Sequence, residues 1–305
     1  MARYIHGGAM FHFFIVWGPV VMAAVLAVLI RLTVLRRAPR LSAAHATLTV
    51  AAGALPALAI VAPRYTAFQG PIMDLTTRAV LPLALGVISV LFLIVPLPTR
   101  RRPRTAQLTR RTIRGFLRPV WPIALLSLTA TVAAVSVSAG LASRPDDLGH
   151  YTLYWIRIGT EGMEAGAGIY GWHYSLPSLV TLVVLLAVTF CAWLLIPRPA
   201  WRDDIEQDAA ERRLRAANIG RVSCAAVLAH LAVVLQSLRG TATLVGSTQT
   251  EELGLVTAGT SFAAIGPALH WASAIAFTLG LALWLVVAIC PVPAFALRPS
   301  GARTT

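Results

Sequence analysis

Apolar stretches separated by short polar segments organise this chain from end to end. Charge-free runs fall at about 9–30, 43–62, 79–97, 119–142, 177–197, 222–238 and 264–292, and none has Asp, Glu or Arg in its interior. A helix of roughly 20 apolar residues crosses the ~30 Å hydrocarbon core of a bilayer. The pattern therefore predicts an all-α integral membrane protein, a bundle of about seven transmembrane helices forming one polytopic domain over residues 1–305. The sixth run is the shortest, and Val222 to Leu238 spans only if nearly untilted. The first run, from about Ala9 to Ile30, exceeds the ~7–15 apolar residues of a cleavable signal core, so it is expected to stay as a span.

Proline punctuates the runs. The third, fifth and seventh stop at Pro96-Leu97-Pro98, Pro197-Arg198-Pro199 and Pro291-Val292-Pro293. A Pro-x-Pro pair removes two amide donors and opposes further helix. The shared stop hints at duplicated helical hairpins, a plan common in transport proteins, although it is also a generic terminator. Gly18-Pro19, Pro56, Pro82 and Pro122 fall within or near spans and are expected to kink them.

Charge orients the bundle. Only 12% of residues are charged and 57% are hydrophobic, against about 25% charged in soluble domains. All 26 basic residues are arginine, and the net charge is +14. The connections 31–42, 98–118, 198–221 and 293–305 hold 4, 8, 6 and 2 arginines, whereas the alternate connections hold 6 arginines against 7 acids. The positive-inside rule then places the N-terminus outside and the C-terminus in the cytoplasm. It also reads the charge as orientation and contact with anionic lipid, not as a nucleic-acid surface. The arginine-only, alanine-rich composition resembles that of multipass proteins from high-GC bacteria, so the expected location is a plasma membrane, the bacterial inner membrane. No residue role follows from that likeness.

Two connections have character of their own. The outer loop 143–176 carries Tyr151, Tyr154, Trp155, Tyr170, Trp172 and His173 around a glycine-rich centre. Such rings form either an interfacial belt at headgroup depth or a partly folded cap shaping a binding site. The inner segment 200–221 places acids before arginines, with Asp208–Arg212 and Glu211–Arg215 at the favourable i,i+4 spacing. A short cytoplasmic helix is expected there. It is either a solvated connector or a dock for a soluble or membrane subunit through Asp208, Glu211, Arg212 and Arg215.

Catalytic signatures are missing from the sequence. It has no H-E-x-x-H, no Gly-x-Ser-x-Gly, no Walker A motif and no dinucleotide glycine fingerprint. The spans also lack the carboxylates that ion-coupled pumps commonly use. Three histidines inside spans, His12, His230 and His270, are candidate ligands for haem iron or another metal if their helices adjoin. Cys191, Cys224 and Cys290 lie at one depth but read as small hydrophobes. Serines and threonines of the fourth span read as close packing. The leading expectation is a non-enzymatic permease-type or membrane-complex subunit. The alternative is a haem- or metal-binding redox protein using the three histidines. A third is a lipid-directed enzyme with Asp146, Asp147, His150 or His173 as acid–base groups.

Overall fold

A computed structural model describes residues 2–36, 38–39, 41–65, 73–95, 115–158, 163–197, 205–250 and 254–292. Seven α-helices account for most of them: α1 Ala2–Thr33, α2 Ala43–Tyr65, α3 Leu75–Ile94, α4 Val120–Ala142, α5 Trp172–Leu195, α6 Ile205–Ala242 and α7 Gly266–Ile289. Six of these helices are long and apolar enough to cross a membrane, and α1 contributes a shorter apolar stretch, Trp17–Thr33. The predicted runs thus correspond one to one with observed helices. Helix continues through Pro19, Pro56 and Pro82. Pro122 falls in the first turn of α4, where a missing amide is harmless.

The Pro-x-Pro stops act as expected, because α3, α5 and α7 end at Ile94, Leu195 and Ile289, each two positions before its first proline. The last carbonyls of any helix have no intrahelical donor, and the prolines that follow offer none. Arginine side chains supply the missing donors. Arg215 donates to the Leu93 carbonyl at 2.6 Å and also reaches Val95 O at 3.4 Å. Arg212 donates to Ile196 O beyond α5. Arg31, at the end of α1, donates to its own Leu35 O and to Val292 O beyond α7. These bonds gather the ends of α1, α3, α5 and α7 with the start of α6 at one arginine-rich pole. Arg213 adds Gly115, ahead of α4, to the same pole.

The sixth helix departs most from expectation. The connector helix and the sixth span are one continuous helix of 38 residues. Far from being the marginal element, α6 is the bundle's axis, packing chiefly on α7 and also on α3, α4 and α5. Its segment 205–221 is not a solvated connector: Asp208, Arg212, Asn218 and Arg221 are all buried. Asp208 and Arg212 form an ion pair at 2.7 Å. Arg221 bonds Asn218 and lies 5.3 Å over the Trp121 ring of α4, a cation–π contact. Other polar bonds tie α6 to its neighbours. Thr189 and Ser223 meet at 2.8 Å, Trp193 Nε1 donates to Ala216 O, and Ser273 donates to Ala232 O. At Gly280 of α7 a Cβ would meet Ala225 O at 2.9 Å, and at Gly53 of α2 it would meet backbone of α7 at 2.4 Å. Glycine is what lets these backbones approach so closely.

At the opposite pole both long connections form β-structure. Strands β1 Arg144–Pro145, β2 Tyr151–Ile158 and β3 Met163–Gly168 make an antiparallel sheet in that order. A hairpin of β4 Val245–Thr250 and β5 Gly254–Gly259 packs against it. Helix–hairpin–helix therefore occurs twice, as α4–β2–β3–α5 and as α6–β4–β5–α7. Glycine permits the contact between the two sheets, since a Cβ at Gly246 would meet Ile158 at 2.3 Å. Thr241 at the end of α6 donates to Gly168 O at 2.8 Å, joining cap to bundle.

Removing one member of a buried ion pair destabilises by about 3–5 kcal/mol, because the other charge is left uncompensated. Arg212→Met is accordingly expected to lower the thermal unfolding midpoint of the purified protein, followed by helical circular dichroism. The double variant Asp208→Leu/Arg212→Met should lose less than Arg212→Met alone. A double variant as unstable as the sum of the singles would contradict this account.

Candidate functional site

The polar and aromatic side chains that the sequence scattered over three segments meet at the cap pole. Tyr170, in the turn between β3 and α5, enters the bundle and is fully buried among Ala79 of α3, Ala139 of α4 and Val234 of α6. Its hydroxyl faces those of Ser178 and Ser136 and donates weakly to Tyr174 O at 3.4 Å. Burial pushes this phenol up to about 12, a rise the two serine hydroxyls oppose. Tyr174 stacks on Tyr170 with centroids 6.3 Å apart. His230 of α6 meets the Tyr170 ring edge-on at 6.2 Å. Its Nδ1 lies 2.8 Å from Ala79 O, so Nδ1–H donates to that carbonyl. The Ser136 and Ser175 hydroxyls nearby in the helix walls are fully buried, with no partner at hydrogen-bond length among the described residues.

Above this buried cluster lies a surface group. Asp146 Oδ1 accepts from Leu148 N and His150 N, both at 2.9 Å, and Oδ2 accepts from the Thr152 hydroxyl at 2.9 Å. Gly149, with φ of +78°, closes this turn in the left-handed region. The backbone N–H of His150, together with the Thr152 hydroxyl, the Leu148 N–H and the nearby imidazole, holds the Asp146 carboxyl below its usual range against a smaller effect of desolvation. The turn carries the His150 ring to within 4.4 Å of the His173 ring, centroid to centroid, at a tilt of 32°. His173 in turn meets Tyr174 edge-on at 5.1 Å. The rings from His150 through His173, Tyr174 and Tyr170 to His230 thus follow one another from the exposed cap into the bundle.

Of the three expected haem ligands, His230 and His270 lie among the described side chains, each with contacts of its own. His230 is engaged by Ala79 and Tyr170. The His270 ring on α7 lies 5.5 Å from the Trp271 ring, centroid to centroid, and its buried Nδ1 has no hydrogen-bond partner among the described residues. The side chain of His12 lies outside the described residues. Among the described residues no three His, Cys, Asp or Glu side chains converge as a ready set of metal ligands. Cys224 and Cys290 are buried, whereas Cys191 is exposed. Cap aromatics divide by depth: Tyr151 and Trp155 are exposed, Tyr154 and Trp172 are half-buried, and Tyr170 is buried. Trp155 lies across Gly166 of the paired strand, and Trp172 packs on Gly140 of α4. Tyr154 lies 3.3 Å from the Ser261 hydroxyl and edge-on to Phe262, bridging to the second hairpin. Of the expected partner contacts, Asp208 and Arg212 are buried, and Glu211 and Arg215 are half-buried. A docking partner at that pole would instead meet the exposed Glu206 and Arg213.

Tyr170→Ala is expected to destabilise by about 3–5 kcal/mol, the range for deleting a buried aromatic ring. It should also speed limited proteolysis within the cap, while Tyr170→Phe, losing only a long hydrogen bond, should cost about 1 kcal/mol or less. The phenol also predicts a pH dependence. Because its folded value of about 12 lies above the ordinary 10, the unfolded chain ionises first. Its contribution to stability is complete below pH 10 and falls as the pH rises from 10 to 12. Denaturant titrations across that window, compared between wild type and Tyr170→Phe, check the sign.

No family model matches this chain, and neither a curated protein nor a solved structure matches it.

Proposed function

We propose that this chain is an integral membrane protein, crossing the bilayer seven times with its N-terminus and cap outside and its arginine-rich pole in the cytoplasm. Within that reading it is a non-enzymatic subunit, of permease type or of a membrane complex. The observation that carries the reading is the polarity of the bundle. Leu58, Ile123, Val180, Val183 and Trp271 point outward and are between 63% and 66% exposed. The buried axis, by contrast, holds Asp208, Arg212, Asn218, Arg221 and His230. Apolar helix faces of this extent need an apolar solvent. The concentration of arginine at one pole supports the orientation. The repeated helix–hairpin–helix plan supports the permease-type assignment, because transporters are commonly built from such repeats.

Single cysteines test the topology in a variant whose three native cysteines are replaced. Asp147→Cys in the cap is expected to react with a membrane-impermeant maleimide in intact cells. Gly115→Cys at the arginine-rich pole should react only after permeabilisation. The opposite pattern overturns the orientation, and recovery of the protein in the soluble fraction overturns membrane insertion itself. For the subunit role, affinity capture in mild detergent should recover a companion protein in fixed stoichiometry. Recovery of the chain alone, with solute flux reconstituted by it alone in vesicles, replaces the complex-subunit reading with a self-sufficient carrier.

A further inference from the structure

The pair of imidazoles on the cap lies at its surface, outside the buried core. His150 comes from the turn before β2, and His173 from the first turn of α5, 23 positions later. The fold alone brings them together, with ring centroids 4.4 Å apart and both side chains exposed. We propose that His150 and His173 form a binding site for a divalent first-row transition-metal ion that favours imidazole, of the Zn2+ or Cu2+ kind.

Three features fit these residues to that chemistry. Imidazole nitrogen suits Zn2+ and Cu2+ better than it suits Mg2+ or Ca2+, which take oxygen ligands. Asp146 Oδ2 lies 4.0 Å from His150 Nδ1. By its charge, and at a distance longer than a hydrogen bond, a carboxylate on that side favours the proton on Nδ1 and leaves Nε2 with the lone pair. Asp146 is itself fixed by Leu148 N, His150 N and the Thr152 hydroxyl, so the turn is organised before any ion arrives. The carboxylate is a positioning group, and the two imidazoles are the ligands. With two protein ligands the ion keeps positions for water or an exogenous ligand, and it binds more weakly than in a closed four-ligand site.

The test uses the full chain in detergent micelles with any affinity tag removed. Titration calorimetry with Zn2+ and electron paramagnetic resonance with Cu2+ should each report one ion per chain, the copper spectrum showing nitrogen coordination. His150→Gln and His173→Gln should each weaken binding by at least about tenfold, and Asp146→Asn by about 10–100-fold, as for other groups behind a ligand. His270→Gln should leave the affinity unchanged. Elution volume and helical circular dichroism report whether each variant is folded. Affinity unchanged in both His150→Gln and His173→Gln, or no binding by the wild type below millimolar concentration, overturns the site. Wild-type affinity in Asp146→Asn overturns the positioning role.

Discussion

Backbone carbonyls at the ends of proline-stopped helices must find donors, and arginine side chains provide them here. Each Pro-x-Pro stop leaves few amides beyond the last turn of α3, α5 or α7, so that only some of the terminal carbonyls there, such as Trp193 O, Val287 O and Ile289 O, find a backbone donor. Arg215, Arg212 and Arg31 answer those three ends in turn. A guanidinium is suited to the role because its planar fork holds five donors and stays charged, and because a cation at a helix C-terminus is favoured by the helix dipole. Two of the three arginines come from α6. That helix must therefore extend past the apolar layer, and its first turns must lie inside the bundle.

Once α6 occupies the axis, the packing around it follows. Its neighbours cover most of its length, so those residues answer to helix contacts and not to the surroundings of the bundle. Small side chains such as Ala225, Ala226 and Ala229 fill its middle, and Gly280 brings α7 close against it. Its polar groups are matched one by one: Asp208 with Arg212, Asn218 with Arg221, Ser223 with Thr189, His230 with Ala79. Isolated charges would be untenable there; paired and capping ones are not.

Hydrophobic runs and proline stops made the helices legible in the sequence, because both act locally. The length of α6 was hidden because hydropathy assumes that a crossing helix faces an apolar solvent, and an axial helix does not have to. Charges at Asp208, Arg212 and Arg221 therefore read as solvated when they are buried. The all-α expectation leaves out all five strands of the cap, and β3 shows one reason: Met163–Gly168 is too rich in glycine and alanine to alternate apolar with polar. The cap aromatics and histidines were visible as residue types. Their division into the buried Tyr170–His230 group and the exposed His150–His173 pair depends on tertiary contacts between distant segments. Asp146 had been noticed as a possible acid, yet its hydrogen bonds make it the organiser of a turn.

The position of α6 in the chain has a consequence for the order of synthesis. α3 and α5 are made before α6, yet their terminal carbonyls are closed by arginines that α6 alone carries, and α4 also packs against this later helix. A nascent chain that has reached Leu195 thus lacks both the arginines that close the ends of α3 and α5 and the helix on which α3, α4 and α5 pack. Residues 205–242 supply that shared surface, and α7 packs on them in turn. Fragments ending before α6 therefore contain most of the helices but not the element that unites them.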